Sequence, residues 1–203
     1  MKKSLKAIIA FSFLGFAVNN LSAQTTQTNF LSKVSLDAKY GMNMPLSPTE
    51  NITASDYTGF NHFEVGATYH FDEEWGIRGS FASSTFKHKD FDNFGVNYSK
   101  ISLEATYNVL TAIKKLKQPF DVTVHAGFGL GMGKSKSLSG SDMIAVGQIG
   151  IMPKYFINSD FAIFVDGTFV NQFSQDYIFN GLSNSKTSGS YLNLGLGVHY
   201  RFK

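Results

Sequence analysis

The sequence predicts an all-β fold, an eight-stranded antiparallel up-and-down transmembrane β-barrel preceded by a cleaved signal peptide. Three observations carry that prediction. Apolar and polar residues alternate through eight successive segments, the period-two pattern of strands with one apolar face. The Asp, Glu, Lys, Arg and His residues of those segments fall on the parity opposite the apolar ones, and a Lys or Arg turned to lipid at mid-bilayer costs about 2–4 kcal/mol. The last segment, 190–202, places leucines in the middle of its apolar face and closes it with Tyr200 and Phe202, as where an aromatic girdle meets headgroups.

Composition narrows the alternatives. The chain has 203 residues, 43% hydrophobic, 15% aromatic and only 16% charged, which suits one domain with much apolar area. Its mean hydropathy is that of a water-soluble protein, but alternation hides a lipid-facing surface from any such average. There is no cysteine, so disulfides, thiolate metal sites, a cysteine nucleophile and a lipid-modified N-terminal cysteine are excluded together. Lys2, Lys3 and Lys6 precede an apolar run over 7–18 and then Leu21, Ser22 and Ala23. This is the layout of a secretory signal peptide over 1–23, its apolar run too short to span a bilayer. A polar lead, 24–30, and the barrel domain, 31–203, follow. Cleavage after Ala23 removes three of the 18 basic residues and none of the 15 acids. The two signs then balance, and the sequence pI of 8.9 implies no nucleic-acid partner.

The first strand is expected at 33–41, with Val34, Leu36, Ala38 and Tyr40 outward and Ser35, Asp37 and Lys39 inward. A long loop containing Pro45, Pro48 and Gly59 follows. The second, 60–71, sets Phe63, Val65, Ala67, Tyr69 and Phe71 against His62, Glu64, Thr68 and His70, and Asp72, Glu73 and Glu74 turn it into the third, 75–85. There Trp75, Ile77 and Phe81 face out while Arg78, Ser80 and Ser84 face in. The fourth, 96–109, sets Ile101, Leu103 and Tyr107 against Lys100 and Glu104, and a basic turn with Lys114, Lys115 and Lys117 leads to the fifth, 120–132. In it Phe120, Val122, Val124, Phe128 and Leu130 oppose Asp121, Thr123, His125 and a row of glycines. The sixth and seventh, 143–157 and 161–173, turn Gln148, Lys154, Asp166 and Thr168 inward. Pro153 cannot donate to a ladder, so a bulge is expected there. A loop over 174–189 leads to the last strand.

Long connections at 42–59, 86–95, 133–142 and 174–189 alternate with short ones at 72–74 and 158–160. In bacterial outer-membrane barrels the long loops are external and the termini periplasmic. A soluble lipocalin-like barrel or sandwich would alternate equally well with its apolar face inside; the signal peptide and aromatic strand ends favour the membrane. The signal peptide, eight alternating strands and a last strand with Leu194, Leu196, Val198, Tyr200 and Phe202 resemble the OmpA/OmpX-type small outer-membrane barrels, particularly those of Bacteroidetes. The resemblance implies an outer-membrane location, outer-membrane phospholipid and lipopolysaccharide as surroundings, and a last strand read by the outer-membrane assembly machinery. Family members usually end on an aromatic residue, whereas here Lys203 follows Phe202. It also implies a monomer without cofactor, not an enzyme, with a structural or adhesive role and loops that can meet an extracellular ligand.

An eight-stranded lumen has room only for side chains, and the inward list, Asp37, Glu64, Glu104, Asp121 and Asp166 against Lys39, Arg78, Lys100, Lys154 and Arg201, is balanced. A plug of paired charges is therefore expected, with Arg78 as its hub. Other readings are weaker. Residues 127–135 end in Gly133-Lys134-Ser135, but Phe128 stands where a phosphate-binding loop needs glycine. His62 and Glu64 could share a metal, though such groups in a polar lumen are ordinarily just paired, and no metal is expected. Lys114, Lys115 and Lys117 suit a solvated turn. A lipid A-modifying enzyme would draw on Ser84 and His62 with His88 or Asp90, but Ser84 and His62 point away from lipid. A small-solute pore would favour one sign of charge in the lumen.

Overall fold

The computed structural model describes residues 30–50, 52–113 and 119–202. The expected signal peptide, nearly all of the polar lead, Lys114, Lys115, Lys117 and Lys203 lie outside them. Eight strands, β1 (Val34–Ser47), β2 (Gly59–His70), β3 (Trp75–Lys87), β4 (Gly95–Asn108), β5 (Phe120–Ser135), β6 (Asp142–Phe156), β7 (Phe161–Tyr177) and β8 (Ser183–Arg201), follow in chain order. Each pairs antiparallel with the next, and β8 returns to β1. Closure gives every strand two partners, so no row of unpaired backbone groups is left at an edge.

Which face points where settles the choice between the two barrel types that alternate alike. The apolar parity is outside: Phe128 is 74% exposed, Leu196 70% and Ile101 60%. The charged parity is inside, with Arg78 1% exposed, Lys39 2% and Glu64 0%. A water-soluble barrel would have these reversed. At the end carrying the short turns, outward aromatic side chains meet edge to face or tilted around the rim: Trp75 with Tyr107 at 4.5 Å, Phe120 with Tyr155 at 5.0 Å, Tyr200 with Phe202 at 5.1 Å and Tyr69 with Phe71 at 5.7 Å between ring centroids.

The short turns are built by side-chain acceptors. Asp72 Oδ1 accepts from the backbone N–H groups of Glu74 (2.8 Å) and Trp75 (2.6 Å), and Asn158 Oδ1 does the same for Asp160 and Phe161, the Asx pattern that reverses a chain in few residues. Between β4 and β5 a single helical turn, Val109–Ala112, forms instead.

At the opposite end the strands run further than alternation suggested. β1 continues through Pro45 to Ser47, which takes the first third of the segment expected as the loop 42–59, and β7 and β8 extend as a hairpin to Tyr177 and Ser183, so the segment expected as the loop 174–189 is largely strand. Register slips where β1 passes Pro45 and where β7 passes Gln172 mark these extensions as irregular ladder. Pro153 behaves differently from expectation. Its pairing with Val122 of β5 is in register, and the β6–β7 register is the same on either side of it, with pairs missing only at Met152 and Pro153. The absent N–H leaves a gap in one ladder rather than a bulge.

Candidate functional site: the lumenal ion network and its aromatic cork

Four inward carboxylates and three inward bases meet at the middle of the barrel. Arg78 forks onto Asp37, Nε donating to Oδ1 at 3.1 Å and Nη2 to Oδ2 at 2.5 Å, the bidentate geometry that a planar guanidinium provides. Its Nη1 lies 2.8 Å from both Glu64 Oε1 and Glu104 Oε1, and Ser80 Oγ donates to the same Glu104 oxygen at 2.9 Å. The register explains the convergence, because Arg78 is directly opposite Glu104 on β4 and Thr68 on β2. Room for the guanidinium comes from Gly66, where a Cβ would fall 2.6 Å from Arg78 Nε. Across the lumen, Lys39 Nζ is 2.5 Å from Asp166 Oδ1 and 3.4 Å from Glu64 Oε1.

His125 closes the ring. Its Nδ1 is 2.5 Å from Glu104 Oε2 and its Nε2 2.9 Å from Asp166 Oδ2. A carboxylate on each ring nitrogen requires a hydrogen on each, which makes this imidazole a cation. Of the residues expected in the lumenal network, Asp37, Lys39, Glu64, Arg78, Glu104 and Asp166 are thus brought together. Lys100 stands beside the ring and donates to Gln148 Oε1. Asp121 does not join it: its oxygens accept from Leu110 N, Val122 N and Thr111 Oγ1, bracing the helical turn. Arg201 donates to the Ser32 carbonyl at 3.3 Å, and Lys154 has no carboxylate within 4.0 Å among the described residues. Sequence reasoning set His125 inward without counting its charge, since only two carboxylate neighbours give it one.

Above this layer the inward parity turns apolar. Phe86, Val96, Tyr98, Ile144, Val146, Val170 and Tyr191 pack inside the loop end of the barrel. Phe179, carried on the turn between β7 and β8, is fully buried among them, 4.7 Å from the Phe86 ring and 6.3 Å from Tyr98. Hydrogen bonds hold that turn down: Gly95 N donates to Asn180 O (3.0 Å) and Ser135 Oγ to Gly181 O (2.6 Å). Gly181 has φ +82°, and a Cβ there would strike the Gly95 carbonyl, so this close seat requires glycine. Nearby, the loop after β3 is tied by Lys89 Nζ to Asp56 Oδ1 at 2.8 Å, and that hydrogen bond holds the Asp56 carboxyl below its usual range.

The remaining candidates resolve on geometry. Residues 127–135 lie within β5 and run through a turn into β6, with no helix after Ser135. Ser84 Oγ is 2.9 Å from His62 Nδ1, and His62 Nε2 is 3.7 Å from Glu64 Oε2, so a Ser, a His and an acid do line up. All three are at most 1% exposed, sealed beneath the aromatic layer. His88 and Asp90 bond within their own loop, Asp90 N donating to His88 Nδ1. Among the described residues no group of three His, Asp or Glu is placed to hold a metal ion.

Fold and lumen together define a small eight-stranded antiparallel barrel with an apolar outside and a filled, ionic inside. No family model matches the chain, and no curated protein does. Solved structures do. Neisserial surface protein A is similar with a TM-score of 0.57 at 11% identity, over 84% of this chain and 97% of that one. The attachment invasion locus protein Ail of Yersinia pestis is similar at 0.52 and 16%, over 83% and 97%, and again at 0.51 and 16% in its complex with the heparin analogue sucrose octasulfate. At these identities the likeness is one of fold.

Proposed function

We propose that this is a non-enzymatic bacterial outer-membrane barrel, folded by the outer-membrane assembly machinery, that stands as a monomer in the outer-membrane lipid with periplasmic termini. It serves envelope integrity or adhesion through its loop end. One observation carries the reading: the apolar face is outside while buried carboxylates and bases meet in a salt-bridge network across the lumen. Charges in pairs fit a plug, whereas a conducting lumen needs width and commonly one sign in excess. The Ser84–His62 pair has no access to lipid or solvent, so it supports packing rather than acyl transfer. Adhesion is the readier of the two roles for a barrel built like Ail, a protein seen with a heparin analogue, because the loop end is a braced surface rather than a channel mouth.

The test is a deletion strain compared with its parent for detergent sensitivity, surface adhesion and lipid A acyl composition, beside planar-bilayer recordings of the purified protein. Loss of adhesion or detergent resistance with unchanged lipid A and no steady conductance is expected; large steady conductance or altered lipid A overturns the reading.

Two substitutions address the membrane placement. Phe128→Lys puts an ammonium on the outer face near the middle of the β5 apolar row, and unfolding from lipid vesicles should show a loss of about 2–4 kcal/mol. Lys134→Ala, on the same face beyond that row, should stay within about 0.5 kcal/mol of the parent. For assembly, Phe202→Asp removes the aromatic end of the last apolar row, which packs against Tyr200. Its level in outer-membrane fractions should fall severalfold, and an unchanged level would detach Phe202 from assembly.

A further inference from the structure

Between the ion network and the short-turn end lies a lumenal cavity of about 10 Å³, lined among others by Asp37, Thr68, Arg78, Thr106, Lys154 and His199. That is the space for one water-sized particle. Four of its lining side chains, Thr68, Thr106, Lys154 and His199, are only 4–7% exposed and make no side-chain hydrogen bond among the described residues. Asp37, the carboxylate on the wall, already has both oxygens on Arg78. Asp121, directly across the β5–β6 ladder from Lys154, is spent on the helical turn. Besides Asp37, the wall thus presents hydroxyls, imidazoles, the Arg78 guanidinium and an ammonium group with no carboxylate within 4.0 Å among the described residues. A buried charge without a direct ion pair is strongly unfavourable, and the carboxylates around it, Asp37 and Asp121, already bond elsewhere.

We propose that this cavity is a binding site for one monatomic monovalent anion of the halide class, held by the Lys154 ammonium with His199 and the Thr68 and Thr106 hydroxyls. Size and charge select the ligand. A volume near 10 Å³ rejects phosphate, sulfate and carboxylates, and Arg78 and Lys154 on the wall reject metal cations. The anion completes the neutrality of the lumen below the ring centred on Arg78; it is a resident counter-ion and does not pass through.

The test uses the full barrel in detergent. Crystals grown in bromide should give an anomalous peak in the cavity that disappears in Lys154→Met. In solution, the melting temperature of the parent should rise saturably with chloride by roughly 5–10 °C at a hundredfold excess over the dissociation constant, measured against sodium gluconate of equal ionic strength. Lys154→Met should melt at the same temperature in both salts. If that variant does not fold, Thr106→Val replaces it, with a weaker halide response expected. Density for a water alone without anomalous signal, or equal melting of the parent in chloride and gluconate, overturns the proposal.

Discussion

Arg78→Ala lowers the stability of the barrel by about 3–5 kcal/mol, the range for removing one partner from a buried ionic cluster. The magnitude follows from what is stranded. Asp37 loses both of its bonds to the guanidinium, and Glu64 and Glu104 each lose a contact of 2.8 Å. Lys39 and His125 then remain for three of the four carboxylates, and neither reaches Asp37. Arg78→Lys recovers little, because one ammonium cannot fork onto Asp37 while also bridging two glutamates. Urea unfolding from vesicles, followed by the fluorescence of Trp75, the one tryptophan in the chain, reads the change directly. Stability equal to the parent would mean that the carboxylates find protons or water instead, and the plug would lose its basis.

The strands and the sign of each face were legible because lipid and lumen impose opposite demands on successive residues. Arg78 could be named as hub from its place between strands carrying Glu64 and Glu104, since closure brings neighbours of one parity together. His125 was not legible as a charge, because its protonation is set by Glu104 and Asp166, which come from two other strands. Nor was Gly66, whose value is the space it leaves for Arg78 rather than any local conformation. The largest miss was at the loop end. There the inward residues, Phe86, Tyr98, Ile144 and Tyr191, are apolar; the last three stood in strands expected from alternation, but the rule of polar inside gave no sign that their side chains form a core, and Phe86 fell in an expected loop. Past the apolar belt the barrel behaves as a small water-soluble one with its own core, and the β7–β8 hairpin within 174–189 seats Phe179 in it.

That second core is the ground for the other large effect. Phe179→Ala empties a fully buried aromatic site against Phe86 and Tyr98, a change that costs about 3–5 kcal/mol where the surroundings stay in place. Here the residue sits on a turn held by a few hydrogen bonds, so the loss should appear as local opening before global unfolding. Hydrogen exchange at Gly95 N, which donates to Asn180 O, and at Gly181 N, which donates to Ile178 O, is expected to accelerate by about a hundredfold or more, while amides of β3 and β4 beside the Arg78 ring keep their protection. Conductance should remain absent even with the cork loosened, because the ionic layer beneath it is held by its own salt bridges. Exchange at the parent's rate would show that the turn is held by its hydrogen bonds alone. A steady current would show that the aromatic layer, and not the charges, is what closes the lumen.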